Sequence, residues 1–368
     1  MVIPHPPQFD SKSSNCAKKG SDGVESGLKV INSRIIHYLA TECGFQLCGV
    51  SSAGPVSDFA RFSAWVDQGK AGEMKYLTDH RADLRSNPEH LLSGVKSIIS
   101  IGLLYNGPEP YSTDFSESDR GWISRYAWGE DYHSVLRSKL INLEMRLSAA
   151  FPENQSRICV DTAPLLERSL ARQSGIGWIG KNTCLINQKS GSWFFLGELL
   201  TTLQIEPNPQ PAPDRCGTCT RCIEACPTQA LTPYELDANL CISYLTIELR
   251  GEVPENKRSQ IGPHIFGCDI CQDVCPWNRQ APQTTEFQPG QFAPPLEKMA
   301  ELTEAEFKAM FRHTPVSRAK YTGFLRNVAI AMGNSGLQKF QEPLTKLAGS
   351  RDQIVAEHAN WALRELRP

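Results

Sequence analysis

Eight cysteines crowded between residues 216 and 275 constrain this chain more than any other feature. Cys216, Cys219, Cys222, Cys226, Cys241, Cys268, Cys271 and Cys275 make up most of its 13 cysteines. The run 216-CGTCTRCIEACP-227 has the spacing C-x2-C-x2-C-x3-C-P, in which three close thiolates surround one [4Fe-4S] cluster and the fourth reaches a neighbouring one. A second run, 268-CDICQDVCP-276, repeats the end of that pattern, but Ile265 stands where its first cysteine is required. Cys241 is the available substitute. The expected assignment is therefore Cys216, Cys219, Cys222 and Cys275 on one cluster, and Cys226, Cys241, Cys268 and Cys271 on the other. A tetrahedral zinc ion on two C-x2-C pairs would strand four cysteines and explain neither Cys-Pro. The C-x3-C-x2-C spacing of radical enzymes is absent, so these clusters should relay electrons. The remaining Cys43, Cys48, Cys159 and Cys184 read as small apolar core residues, and Cys16 as part of a tail.

The rest of the chain is organised around this module. Residues 1–26 are rich in Pro, Ser, Lys and Gly without apolar periodicity and read as a disordered leader. From 27 to 205, helical patterns such as 133-HSVLRSKLINLEMRLSAAF-151 mix with buried-looking strands at 45-FQLCGVSS-52, 96-KSIISIGLLY-105 and 157-RICVD-161. The proline-rich 206-EPNPQPAPD-214 then marks a boundary, the cysteine module runs over 206–280, and a second linker precedes a helical segment at 296–368. Its helical patterns, 323-GFLRNVAIAMGNSG-336 and 353-QIVAEHANWALREL-366, resemble a HEAT-type hairpin. The fold class expected is α+β: an amino-terminal α/β domain, a ferredoxin-like two-cluster module and an all-α, HEAT-like carboxy-terminal domain.

Charge and hydropathy narrow the function. A formal net charge of -2 excludes a uniformly basic nucleic-acid binder, so any polyanion must be met by a local patch. The tail offers one, with Arg318, Lys320, Arg326, Lys339, Lys346, Arg351, Arg364 and Arg367 outnumbering its acids. No run approaches the ~18 apolar residues of a membrane span, and the amino terminus lacks a secretory signal, so a soluble cytoplasmic protein is expected.

Clusters of this kind move single electrons and make no bonds to an organic substrate, so a further cofactor is expected in the amino-terminal domain. The stretch 174-SGIGWIGKNT-183 contains Gly175-x-Gly177-x-x-Gly180, but it follows a helical pattern and precedes a strand-like one, the reverse of a dinucleotide fingerprint. It remains a glycine turn carrying Lys181 and Asn182. Asp161 ends a strand pattern and precedes 162-TAPLLERSLA-171. It reads either as the cap of that helix or as an acid whose pKa is raised by an apolar pocket.

Taken together, 80-HRADLRSNPEHLLSGVKSII-99, 125-RYAWGEDYH-133, 161-DTAPLLER-168, 174-SGIGWIGKNT-183, the cysteine runs and the basic tail resemble the epoxyqueuosine reductases, cobalamin-dependent enzymes of tRNA queuosine synthesis. The resemblance spans nearly everything from about residue 28 onward. It implies a cobalamin in the amino-terminal domain, two [4Fe-4S] clusters, and a helical tail that grips tRNA. The reaction it implies is reduction of epoxyqueuosine to queuosine at the wobble position. The family's proton donor falls on Asp161. Arg85, Arg125, Lys181 and Asn182 match stretches near the corrin, Ser243 and Asp269 lie in cluster loops facing it, and Arg318, Lys320 and Arg326 are the expected tRNA contacts. An external donor (ferredoxin, flavodoxin or a reductase) would supply electrons to a monomer. Cobalamin folds that place a histidine on cobalt carry D-x-H-x-x-G, and here Asp131-Tyr132-His133 is followed by Leu136 in place of glycine, so no protein histidine is expected on cobalt. The alternatives are a small-molecule reductive dehalogenase with the same cofactors, and a bare electron-transfer protein.

Overall fold

The structure, a computed structural model, describes residues 30–208, 211–290 and 292–367. The leader expected at 1–26, with Cys16, lies outside the described residues. Four strands form the main sheet: β1 (Leu47–Ser52), β2 (Ser97–Leu104), β3 (Ser156–Cys159) and β4 (Phe194–Thr201). Their order is β1-β2-β4-β3, and every neighbouring pair is antiparallel. β2 is buried along its whole length, because its run of Ile and Leu is covered on both faces.

On one face, Ile99, Ile101 and Leu103 meet Ile36 and Ala40 of helix α1 (Ser33–Glu42) and Leu136, Leu140, Leu143 and Leu147 of helix α2 (Tyr132–Ala150). Those four leucines recur every three or four residues, which lines them on one side of α2. Each is fully buried, worth about 2 kcal/mol of transfer energy apiece. On the opposite face, Ile98 and Leu200 pack with Leu165 and with Leu170 of helix α3 (Glu167–Gln173). The expectation of an α/β amino-terminal domain is thus corrected. With antiparallel neighbours throughout, this is an antiparallel sheet between helical layers, and mixed α+β describes the fold.

The second and largest core crosses the boundaries read from composition. It joins Trp122 and Trp128, residues Ala238 to Phe266 from the cysteine-rich stretch, and Leu296 to Leu366 of the tail. A short parallel pairing of Trp122–Ile123 with His264–Phe266 stitches the first two together. In the tail, helices α4 (Lys320–Asn334), α5 (Gln341–Ala348) and α6 (Gln353–Glu365) pack closely. Gly333 of α4 lies so near α6 that a Cβ there would stand 2.8 Å from that of Ala362.

This packing overturns one expected tRNA contact. Arg326 is fully buried in the middle of α4. Its guanidinium donates to the carbonyls of Leu249, Gly251 and Leu245 at 3.0, 2.6 and 2.5 Å, tying the tail to the cysteine module. Lys320 is exposed. The basic excess of the tail is partly cancelled from outside it, since Arg318 pairs with Glu248, Lys339 with Asp119 and Arg364 with Glu255.

Replacing Arg326 with Met leaves three buried carbonyls without a donor. The expected loss is at least about 3 kcal/mol, taking the lower end of the usual cost for each unsatisfied group. Urea unfolding of the two proteins measures it, and an unchanged midpoint would show that the guanidinium holds nothing together.

Candidate active site

Asp161 follows β3 and has φ of 47°, a left-handed backbone that few residues other than glycine adopt. It does not cap the helix after it: α3 starts at Glu167 with Leu166 before it, and the Asp161 side chain points elsewhere. Its Oδ2 lies 3.0 Å from Nε2 of His133, whose Nδ1 lies 2.6 Å from Oδ1 of Asp131. One imidazole therefore bridges two carboxylates. Asp131 caps α2 through the His133 N–H, and its own N–H is accepted by the carbonyl of His313 in the tail, 2.8 Å away. The His133 ring stacks on Tyr132, which stacks in turn on Phe195 of β4.

The electrostatics differ from the expected raised acid. Burial pushes the Asp161 carboxyl up, but the hydrogen bond and charge of His133, with Arg318 beyond, prevail and hold it below the usual carboxylate range. Burial pulls His133 down, yet the two carboxylates outweigh it and lift its pKa to about 9. Both shifts favour a proton on the imidazole with Asp161 as its ionised partner.

Beside this group lies a cavity of about 570 Å³, lined by Asp131, His133, Arg137, Arg157, Pro164 and Arg318 among others. Arg137 and Arg157 carry no motif and were not singled out by sequence reading. Arg318, expected on a tRNA-facing surface, instead reaches this cavity while bonded to Glu248.

Most side chains expected around a corrin are committed to the protein itself. Arg85 is buried and donates to the carbonyls of Arg81 and Tyr76. Arg125 is buried, donates to the carbonyls of Gly107, Glu109 and Pro110, and lies 4.4 Å from the Trp128 ring centroid. Asp269 accepts from Ser124 Oγ at 2.6 Å, the Arg125 N–H at 2.8 Å and the Trp122 indole. Buried charges need partners, and the side chains of Arg85, Arg125 and Asp269 have found theirs inside the protein. Lys181 donates to the carbonyls of Gly217 and Cys219, and Asn182 to that of Cys271. The glycine turn thus clamps both cysteine loops. Ser243, half-buried, reaches the Cys268 carbonyl at 3.5 Å.

The eight cysteines are all free thiols, and they influence one another in two sets. After burial, Cys222 is raised by Cys216 and Cys219, and Cys275 by Cys184, Cys216 and Cys222. Cys268 is raised, after burial, by Cys241 and Cys226, and Cys241 by Cys226. Backbone N–H groups of Trp277, Ile270 and Tyr244 point at Cys275, Cys268 and Cys241 and favour their thiolates. Trp178, packed among Cys275, Cys216 and Trp277, turns its buried indole N–H toward the Cys216 sulfur and favours its thiolate. Among the described residues no three His, Cys, Asp or Glu side chains converge on a single-ion site. Two spaced sets of four thiols with converging N–H donors suit sulfide-bridged clusters wider than one ion. Cys184, expected in an apolar core, hydrogen-bonds Cys271 and so abuts this module.

Comparison with known proteins agrees with this arrangement. Residues 85–162 match the family model described as Epoxyqueuosine reductase QueG, DUF1730, and residues 215–278 match the 4Fe-4S double cluster binding domain. Over 339 residues the chain is 41% identical to the epoxyqueuosine reductase of Xanthomonas campestris pv. campestris, covering 90% of this chain and 95% of that protein. The structure of epoxyqueuosine reductase from Streptococcus thermophilus superposes with a TM-score of 0.84 at 32% identity over 91% of each chain. An epoxyqueuosine reductase crystallised with a tRNA-Tyr epoxyqueuosine-modified stem loop gives 0.82 at 30% identity, over 91% of this chain and 90% of that one.

The bridged imidazole has a pH signature. His133 rises from 6.5 to about 9 on folding, so its stabilisation is complete below about pH 6.5 and lost as pH climbs through about 9. Asp161 is lowered, so its share is present above its ordinary carboxylate pKa and lost in acid. The stability gap between the wild type and Asp161→Asn should be widest near pH 5–6, narrow above that and close beyond about pH 9. Thermal midpoints measured across that range check it, and a gap independent of pH would mean that Asp161 does not hold the imidazolium.

Proposed function

The chain belongs to the epoxyqueuosine reductase family, and from that premise we propose that its bridged imidazole and arginine-lined cavity form the site where the epoxide of epoxyqueuosine in tRNA is opened. The enzyme reduces epoxyqueuosine in tRNA. Loss of the epoxide oxygen as water consumes two electrons and two protons and leaves the alkene of queuosine. The observation that carries the residue-level reading is the Asp131–His133–Asp161 line beside the cavity, whose wall Asp131 and His133 help to form.

His133 holds a proton at Nε2, 3.0 Å from Asp161 Oδ2, and delivers it through Asp161 to the departing oxygen. Asp131 fixes the ring by accepting at Nδ1. The acid is therefore the pair and not an isolated carboxyl of raised pKa. Arg137, Arg157 and Arg318, which line the cavity, give it a positive wall for nucleic-acid phosphates, with exposed Lys320 close by in sequence. The modified base leaves the stack of its loop to reach Asp161.

The electrons are carried by two [4Fe-4S] clusters, which Cys216, Cys219, Cys222 and Cys275, and Cys226, Cys241, Cys268 and Cys271, would hold. Cobalamin, when bound, supplies the strongly reducing, nucleophilic cobalt that epoxide opening requires. His133 would not be the residue that holds it, since both of its ring nitrogens are already engaged. Ser243 and the loops held by Lys181 and Asn182 would lie against it. Residues 27–205 serve as the catalytic unit, 206–280 as the cluster unit and 296–368 as the HEAT-like tRNA-binding unit. Their division is one of task, because the cluster unit and the tail share a core. Nothing in the site favours a small-molecule dehalogenase over the tRNA substrate.

Two variants test this reading. Asp161→Asn tolerates the left-handed backbone, so it should keep its iron and tRNA affinity while turnover on epoxyqueuosine tRNA drops by about 10²-fold or more. Turnover within a factor of two of wild type would remove Asp161 from the mechanism. Cys241→Ala, purified without oxygen, should hold clearly less than the roughly eight irons that two [4Fe-4S] clusters contain. An unchanged iron content would point to a different fourth ligand.

A further inference from the structure

Behind Asp161 lies a second pair of carboxyl groups that the reaction above does not use. Glu198 occupies the middle of β4, between Ser100 of β2 and Cys159 of β3, and is fully buried. Neither of its carboxyl oxygens has a hydrogen-bond donor. Its close neighbour is the carboxyl of Glu167, the first residue of α3, which raises Glu198 further after burial has already done so. Glu167 Oε1 in turn accepts the backbone N–H of Asp161 at 2.7 Å. Two adjoining buried carboxyls cannot both ionise, so the pair keeps at least one proton. The hydroxyl of Ser100, opposite Glu198 on β2, also has no partner and can serve one carboxyl oxygen, while on the α3 side the group that Glu198 meets is an acceptor, Glu167, to which it can donate only as the acid.

We propose that Glu198, as a neutral acid, donates to Glu167 and so holds it as the acceptor that locks the left-handed turn of Asp161, which makes Glu198 and Glu167 positioning residues for the acid. The inference rests on Asp161 being the acid of the proposed reaction. The turn needs such a lock: a residue with φ of 47° is strained relative to extended backbone, and Glu167 is the acceptor of its N–H. Other titratable or charged groups around the pair are Cys159 on β3, Asp161 after it, His133 on α2 and Arg168 on α3. Burial, with the charge of Glu198 next, raises Cys159 to about 12, so it stays a neutral thiol. Arg168 is drawn off to the Thr183 carbonyl. None of these replaces the proton that Glu198 carries. Burial, and then the charge of Asp161, lifts Glu167 to about 8, in keeping with a pair that stays partly protonated through neutrality.

The test compares Glu198→Gln with Glu198→Leu in the full-length protein carrying its clusters and cobalamin. Gln keeps a donor for Glu167, whereas Leu fills the space without one. Hydrogen exchange of a peptide containing Asp161, read by mass spectrometry, should be as slow in Glu198→Gln as in wild type and about tenfold faster in Glu198→Leu. Turnover should follow the same order, with Gln within about threefold of wild type and Leu down by about tenfold or more, while Leu melts no lower than wild type because an unsatisfied buried acid has gone. Equal protection and equal turnover in the two variants would overturn the proposal, as would loss in Leu that tracks a lower melting temperature. Exchange is read without turnover, so it judges the lock even if Asp161 proves not to be the acid. If Asp161→Asn were fully active while Glu198→Leu still exposed the turn, the catalytic reading alone would fail.

Discussion

One imidazole held between two carboxylates ties together the elements around the cavity. Asp131 and Asp161 flank His133 and favour its charged form, and His133 in turn favours the ionised form of Asp161. Neither state would arise from burial, which acts against both. The arrangement depends on pieces far apart in sequence. Asp131 caps α2, Asp161 sits in a strained turn after β3, and the tail supplies the carbonyl of His313 and the guanidinium of Arg318. A proton held this way is available near neutrality without a lone carboxyl having to be kept neutral in an apolar pocket.

The cysteine-rich module is organised by a similar economy of contacts. Lys181 and Asn182 leave one glycine turn to reach the two cysteine loops, fixing them relative to each other through backbone carbonyls. Carbonyls accept such bonds whatever side chains surround them, so the loops stay free to present thiols inward and N–H groups toward the sulfurs. The Trp178 indole N–H, directed at Cys216, belongs to the same pattern of donors gathered where negative sulfur is to be stabilised.

Much of this was legible before any coordinates. Strands and helices with strong periodicity, such as the all-buried β2 and the leucine stripe of α2, lie where their patterns put them, because a single covered face imposes its period on the residues. The antiparallel order was not legible, since a buried strand reads alike whichever way its neighbours run. Charged residues were read least well. Arg326, expected among the tRNA contacts, is buried in the middle of its helix against carbonyls of the cysteine module. Arg137 and Arg157 were missed. Their role comes from sharing a cavity, and no spacing along the chain announces that. The contact of Asp161 with His133, which favours its ionised form, joins residues 28 apart and has no signature in spacing.

The core shared by the cysteine module and the helical tail leaves the two without mechanical independence. Tail helix α4 rests on the segment from Leu245 to Gly251, a few residues beyond Cys241, through the buried Arg326. A shift of that segment is therefore passed to the helix that follows Arg318, and the cavity wall moves with the cysteine loops instead of apart from them.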